Sequence, residues 1–75
     1  MKAKPIAPEP IVFEMRRLRE ARGLSQDELA RKAGITHTTI SRIETGKNHP
    51  SIYFVNIYLQ VLGLKLKIVK QDESL

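Results

Sequence analysis

Ser25–Thr45 reads SQDELARKAGITHTTISRIET, and the spacing of its apolar residues sets how the rest of the chain is arranged. Leu29, Ala33, Ile35, Ile40 and Ile43 supply the apolar positions, with small residues at Ala30 and Gly34. Two short helices that cross steeply need this pattern. Ala30 leaves room for the second helix, and Gly34 turns the corner with a positive φ at no steric cost. Ser25 and Glu28 form an S-x-x-E capping box that starts the first of the two, and Gly34 stops it. Thr36 is placed to cap the second, which runs from His37 to Thr45 and ends at Gly46. The stretch is therefore read as a helix-turn-helix.

On the second of these helices, Ile40 and Ile43 share one side. His37, Thr38, Ser41, Arg42 and Thr45 lie on the other, spread over about 140° of arc at about 100° per residue. An apolar stripe thus anchors the helix and holds a polar, hydrogen-bonding face outward. A helix roughly 10 to 12 Å across fits the major groove of B-DNA, where such a face meets base edges. Arg42 suits bidentate bonding to guanine, His37 a purine edge, and the Thr38 hydroxyl and methyl a thymine; Ser41 and Thr45 can reach bases or phosphates. Gln26, at the N-terminus of the preceding helix, is placed to hold a phosphate beside the free backbone N–H groups there. Lys47 and Asn48, in the loop GKNHP, bring a positive charge and an amide next to the outward face, as phosphate contacts require. The alternative for each residue is an idle solvent-facing side chain.

Outward from this centre, residues 1–10 (MKAKPIAPEP) carry three of the four prolines and no helical period, and are expected to be a flexible arm bearing Lys2 and Lys4. Ile11 to Arg22 is a helix with Met15, Leu18 and Ala21 toward the core; Arg16 and Arg17 belong to a solvated charged face. Ser51 caps another helix, Ile52 to Leu62, stopped by Gly63. Ile52, Val55, Tyr58, Leu59 and Leu62 form its core arc. Phe54, Ile57 and Val61 form a second apolar arc, more than a small monomer should leave bare, so it is assigned to a subunit interface. In residues 64–70 (LKLKIVK) the period changes to two, so that Leu64, Leu66 and Ile68 mark one face of a half-buried strand. A lone strand in a helical chain has no partner, and the same strand of a second copy, antiparallel across a two-fold axis, supplies one. Residues 71–75 are a polar tail.

Composition narrows the function classes. A chain of 75 residues makes one small domain with a modest core, and 13 basic against 8 acidic residues give a net charge of +5, which favours a polyanionic partner. Cysteine is absent, so disulfides and thiolate metal sites are excluded. His37 and His49 sit in no catalytic motif and make no zinc spacing, and the four glycines read as helix stops rather than a phosphate loop. The expectation is no enzyme, no metal and no cofactor. No apolar run approaches the roughly 20 residues of a membrane span and no signal-peptide core is present, so a cytoplasmic protein is expected.

The motif R-x-x-R-G-L-S-Q-x-x-L-A from Arg19 to Ala30, then G-I-T, T-I-S-R-I-E and G-K, resembles the DNA-binding domain of the Cro and phage-repressor (XRE) family over about residues 15–64. That resemblance implies an all-α, lambda-repressor-like bundle of four or five helices. It places Gln26, His37, Thr38, Ser41, Arg42, Lys47 and Asn48 at positions that commonly face DNA. It also implies an ion pair between Arg19 and Glu44 that ties the first helix to the third. Members often carry Gln where this chain has His37, which changes the first base contact, because an imidazole lacks a carboxamide's geometry.

A terminal strand directly after the last helix is similar to small antitoxin repressors of the HipB-like kind, in which the C-terminal strands of two subunits pair. The fold expected is thus an all-α domain over residues 11–63 with one added strand at 64–70. The function expected is a homodimeric transcriptional repressor on a palindromic operator, in the antitoxin case an autoregulator with a cognate toxin as second partner. A stand-alone phage or plasmid regulator, and an interaction module that has lost DNA binding, are the alternatives.

Overall fold

A computed structural model of the chain describes residues 8–71. Most of the expected arm and residues 72–75 of the tail lie outside them. Within them the chain forms four helices: α1 (Pro10–Ala21), α2 (Gln26–Ala33), α3 (His37–Glu44) and α4 (Ile52–Val61). The start signals act as their chemistry requires. Ser25 Oγ accepts the Glu28 N–H while the Glu28 carboxylate accepts the Ser25 N–H, at 3.0 and 2.8 Å, which completes the capping box of α2. Thr36 and Ser51 accept from the backbone N–H groups of Thr39 and Phe54 in the same way. Helix α1 begins one residue earlier than expected: Pro10 occupies its first turn, where a missing N–H costs nothing and φ is already helical. Between α2 and α3, Gly34 takes φ +71° and its N–H bonds the Ala30 carbonyl, the left-handed cap that swings the chain toward α3.

Helix α2 packs on both α3 and α4, and α1 packs on α3. The core they enclose comprises Val12 and Met15 of α1, Leu29 and Ala30 of α2, Ile40 and Ile43 of α3, and Phe54, Val55, Tyr58, Leu59 and Leu62 around α4, with Leu18, Leu24, Ile35, Val61 and Leu64 packed on its margin. On α1 the fully inward positions are Val12, Met15 and Arg19; Leu18 packs on the core's margin as expected, whereas Ala21 is exposed.

On α4, Phe54 is buried in the chain's own core rather than left for a partner, and Ile52 is 69% exposed. Phe54 and Tyr58 stand one turn apart, so a core arc centred near Tyr58 and Leu62 takes in Phe54 and leaves Ile52 about 90° off-centre. The two rings touch with centroids 5.7 Å apart. The strand expected to pair with a second copy is not formed by the single chain. No β-strand occurs among the described residues, and residues 64–70 form no ladder, because a strand needs a second strand and the described residues offer none.

Candidate nucleic-acid interface

Ile40 and Ile43 are 0% and 5% exposed, and this burial fixes how α3 is rotated about its axis. The opposite side therefore faces out. His37, Thr38, Ser41, Arg42 and Thr45 line a shallow surface hollow of about 370 Å³ together with Lys47 from the following loop. All of these are exposed except Ser41, which is half-buried. The loop is folded onto the end of α3: the backbone N–H groups of Lys47 and Asn48 both donate to the Arg42 carbonyl, at 2.8 and 3.2 Å. Lys47 and Asn48 are thereby carried next to the face that Arg42 shares. The Thr45 hydroxyl donates to the Ser41 carbonyl at 2.8 Å and so holds its side chain along the helix end.

Beneath this face lies a buried polar cluster centred on Glu44, which is 1% exposed. Arg19 donates to both of its carboxylate oxygens, from Nε at 2.8 Å and from Nη2 at 2.9 Å, which is the expected ion pair in bidentate form. Tyr58 donates its hydroxyl at 2.5 Å and Gln26 its amide at 3.0 Å to the same carboxylate. Burial alone would raise the Glu44 carboxyl, but the hydrogen bonds from Arg19, Tyr58 and Gln26 outweigh it and hold the group below its ordinary range, ionised at neutral pH. Glu44 in turn raises the Arg19 guanidinium, and burial together with the Glu44 charge raises the Tyr58 hydroxyl. One carboxylate thus joins α1, α2, α3 and α4.

Gln26 is the link from this cluster to the surface. Its amide nitrogen is committed to Glu44, and its amide oxygen lies 2.8 Å from His37 Nε2. His37 Nδ1 lies 2.8 Å from Asp27 Oδ1. Gln26 is thus tied inside the protein as well as placed at the N-terminus of α2. The spacing of the sequence singled out neither Asp27 nor the Tyr58 and Gln26 bonds to Glu44. Tyr58 read as an apolar core residue, and Asp27 was not singled out at all; no local pattern pairs either with its distant partner.

The remaining side chains fall as follows. Arg16 and Arg17 pair with Glu20 and Glu14 on the solvated face of α1, and Arg22 bonds the Leu62 carbonyl at the end of α4. His49 Nδ1 lies 2.7 Å from Glu9 Oε2, which ties the loop after α3 to the start of α1. Ile57 and Val61 are half-buried and border a second hollow with Lys32, Ala33 and Gln60. Leu64 is half-buried against the core, whereas Leu66 and Ile68 are 39% and 98% exposed. Among the described residues there is no group of three side chains suited to a metal ion, and no helix long and apolar enough to cross a membrane.

Comparison with known proteins returns the same architecture. A Helix-turn-helix family model matches residues 15–69, a range that holds the Glu44 cluster and the whole outward face of α3. Over 49 residues the chain is 43% identical to the HTH-type transcriptional regulator PuuR of Escherichia coli, which covers 65% of this chain but 26% of PuuR. It is 37% identical over 49 residues to an HTH-type transcriptional regulator of Methanothermobacter thermautotrophicus, covering 65% of this chain and 71% of that one. Among solved structures, the chain is similar to one in a HipB-O1-O2 complex, with TM-score 0.75, 29% identity, and 92% of this chain and 100% of that one covered. It is also similar to one in a HipA-HipB-O2-O3 complex, with TM-score 0.76, 28% identity, and coverage of 93% and 99%.

Proposed function

Because the chain belongs to the helix-turn-helix family, in its Cro and phage-repressor (XRE) branch, we propose that it is a sequence-specific DNA-binding transcriptional repressor. The observation that carries this reading is the orientation of α3, with Ile40 and Ile43 buried and His37, Thr38, Ser41, Arg42 and Lys47 gathered on the open side. In the proposed complex α3 lies in the major groove. His37, Thr38, Ser41 and Arg42 meet base edges, and Gln26, Thr45, Lys47 and Asn48 meet the phosphates beside them. The net charge of +5 draws the protein to the duplex, and its affinity falls with salt as counterions are released.

The protein acts in this reading as a homodimer. Ile68 and Val69, 98% and 70% exposed, follow Leu66 in a segment that no element covers among the described residues. Pairing this segment with its copy across a two-fold supplies the missing ladder and hides those side chains, with Ile57 and Val61 at the border of the same interface. Two α3 helices so related stand about 34 Å apart and select a palindrome with half-sites about one helical turn apart. Similarity to a chain solved with a second protein, HipA, supports the narrower reading of an antitoxin that represses its own operon and binds a cognate toxin through a surface other than α3.

Selection of bound duplexes from a random pool tests the proposal directly. Enrichment of a palindrome with that spacing, bound with a steeply negative dependence on salt, is the expected result. Failure to enrich any sequence, with binding indifferent to salt, would overturn it and leave an interaction module on the same scaffold.

A further inference from the structure

Gln26, Asp27 and His37 form a unit at the corner where α2 meets the outward face of α3. The Glu44 carboxylate only accepts hydrogen bonds, so it fixes the Gln26 amide with nitrogen toward Glu44, at 3.0 Å, and oxygen toward His37 Nε2, at 2.8 Å. Asp27 Oδ1 stands 2.8 Å from the other ring nitrogen, Nδ1. Both oxygens accept, so the two contacts are hydrogen bonds together in the form of the ring that carries a proton on each nitrogen. Each nitrogen of His37 then has a protein oxygen as partner, although the ring lines the hollow beside Thr38, Ser41 and Arg42. A ring held on both sides has one orientation and leaves neither nitrogen free for a base. Asp27 itself is exposed, with 66% of its side chain accessible, so this contact is not required to fill the core.

We propose that Asp27 is a positioning residue of the DNA-reading face: with Gln26 it holds both nitrogens of His37, so that His37 selects a base by the shape of its fixed ring and not by a ring-nitrogen hydrogen bond. The hydrogen-bonded part of the readout then falls to Thr38, Ser41 and Arg42. The inference rests on the DNA-binding reading above, and it assigns a specificity role to a residue outside the recognition helix.

The test compares base preferences of the full chain and of Asp27→Ala, Asp27→Asn and His37→Ala, each selected against the same random duplex pool at one salt concentration, with thermal midpoints measured alongside. Both Asp27 variants remove the same charge, so any general gain in affinity for phosphates is common to them, and only Asn keeps an acceptor oxygen for Nδ1. Asp27→Ala is expected to change the preference by about fivefold or more at the one half-site position that His37→Ala also changes, and Asp27→Asn to restore it to within about twofold, since a single contact to a base edge carries discrimination of this order. Midpoints of the two Asp27 variants should agree with each other. An Asp27→Ala profile equal to wild type, or altered only where His37→Ala has no effect, overturns the inference while DNA binding stands. If wild type itself selects no sequence, the DNA-binding reading and the inference fall together.

Discussion

Glu44 shows what a single side chain does here. Ionised, 1% exposed and bonded by Arg19, Tyr58 and Gln26, it is stable only while all its partners are in place. Its carboxyl is held below the unfolded value of 4.5, so the stability it contributes is complete above that pH and is lost as pH falls through the lower folded value. The urea midpoint should therefore stay level from pH 8 to about pH 6 and drop on acidification below the ordinary glutamate range. Denaturation curves at pH 7 and pH 3 check this, and a Glu44→Gln variant should show a smaller acid loss. Because Gln cannot neutralise the buried Arg19, that variant should also lose about 3 to 5 kcal/mol at pH 7.

On the surface the arithmetic differs. In the proposed complex Arg42→Ala should cost about 1 to 3 kcal/mol and relax one base preference, whereas Lys47→Ala should weaken all duplexes alike and reduce the salt slope by about one unit. Equal loss of operator and scrambled duplex for Arg42→Ala would contradict its role as a base reader.

At the scale of elements, α2 and α3 are only 8 residues each, too short to hold a helix alone, so their caps and their packing must supply the stability. Replacing Ser25 with Ala removes the acceptor for the Glu28 N–H and should lower stability by about 1 kcal/mol, read as a shift of the urea midpoint at constant slope. A larger cost follows from the stripe that aims α3. Ile40 is fully buried, and Ile40→Ala should cost about 2 to 5 kcal/mol. Because the same contact sets the rotation of α3, this variant should also lose more operator affinity than Ser25→Ala does at matched stability. Competition binding on the two variants, at a temperature where both are folded, checks the difference.

At the scale of the whole molecule, the chain leaves Leu66, Ile68 and Val69 exposed beyond a core that closes at Leu64. Truncation after Leu64 should therefore leave the helical bundle folded and remove the proposed dimer. Sedimentation at micromolar concentration should show a dimer for the full chain and a monomer for the truncated one, with an unchanged helical signal in both. The helix starts at Ser25, Thr36 and Ser51, the corner at Gly34 and the outward face from His37 to Arg42 were all legible in the sequence. Caps and amphipathic faces are local: residues within a turn of one another specify them, and one chain contains all the parts.

Less was legible on α4. Phe54 and Ile52 both fit an apolar arc, and only the packed position of α2 and α3 selects which of them is inside. Of the polar network, the sequence motif implied only the Arg19–Glu44 pair, and the tertiary structure alone decided the rest. Arg19, Gln26, Glu44 and Tyr58 lie on four different helices, and the contact between Asp27 and His37 crosses the corner between α2 and α3. Hydrogen bonds of this kind depend on distances between elements, which a sequence period does not encode, and burial makes those to Glu44 count, because a buried group left without its partner has no solvent to turn to.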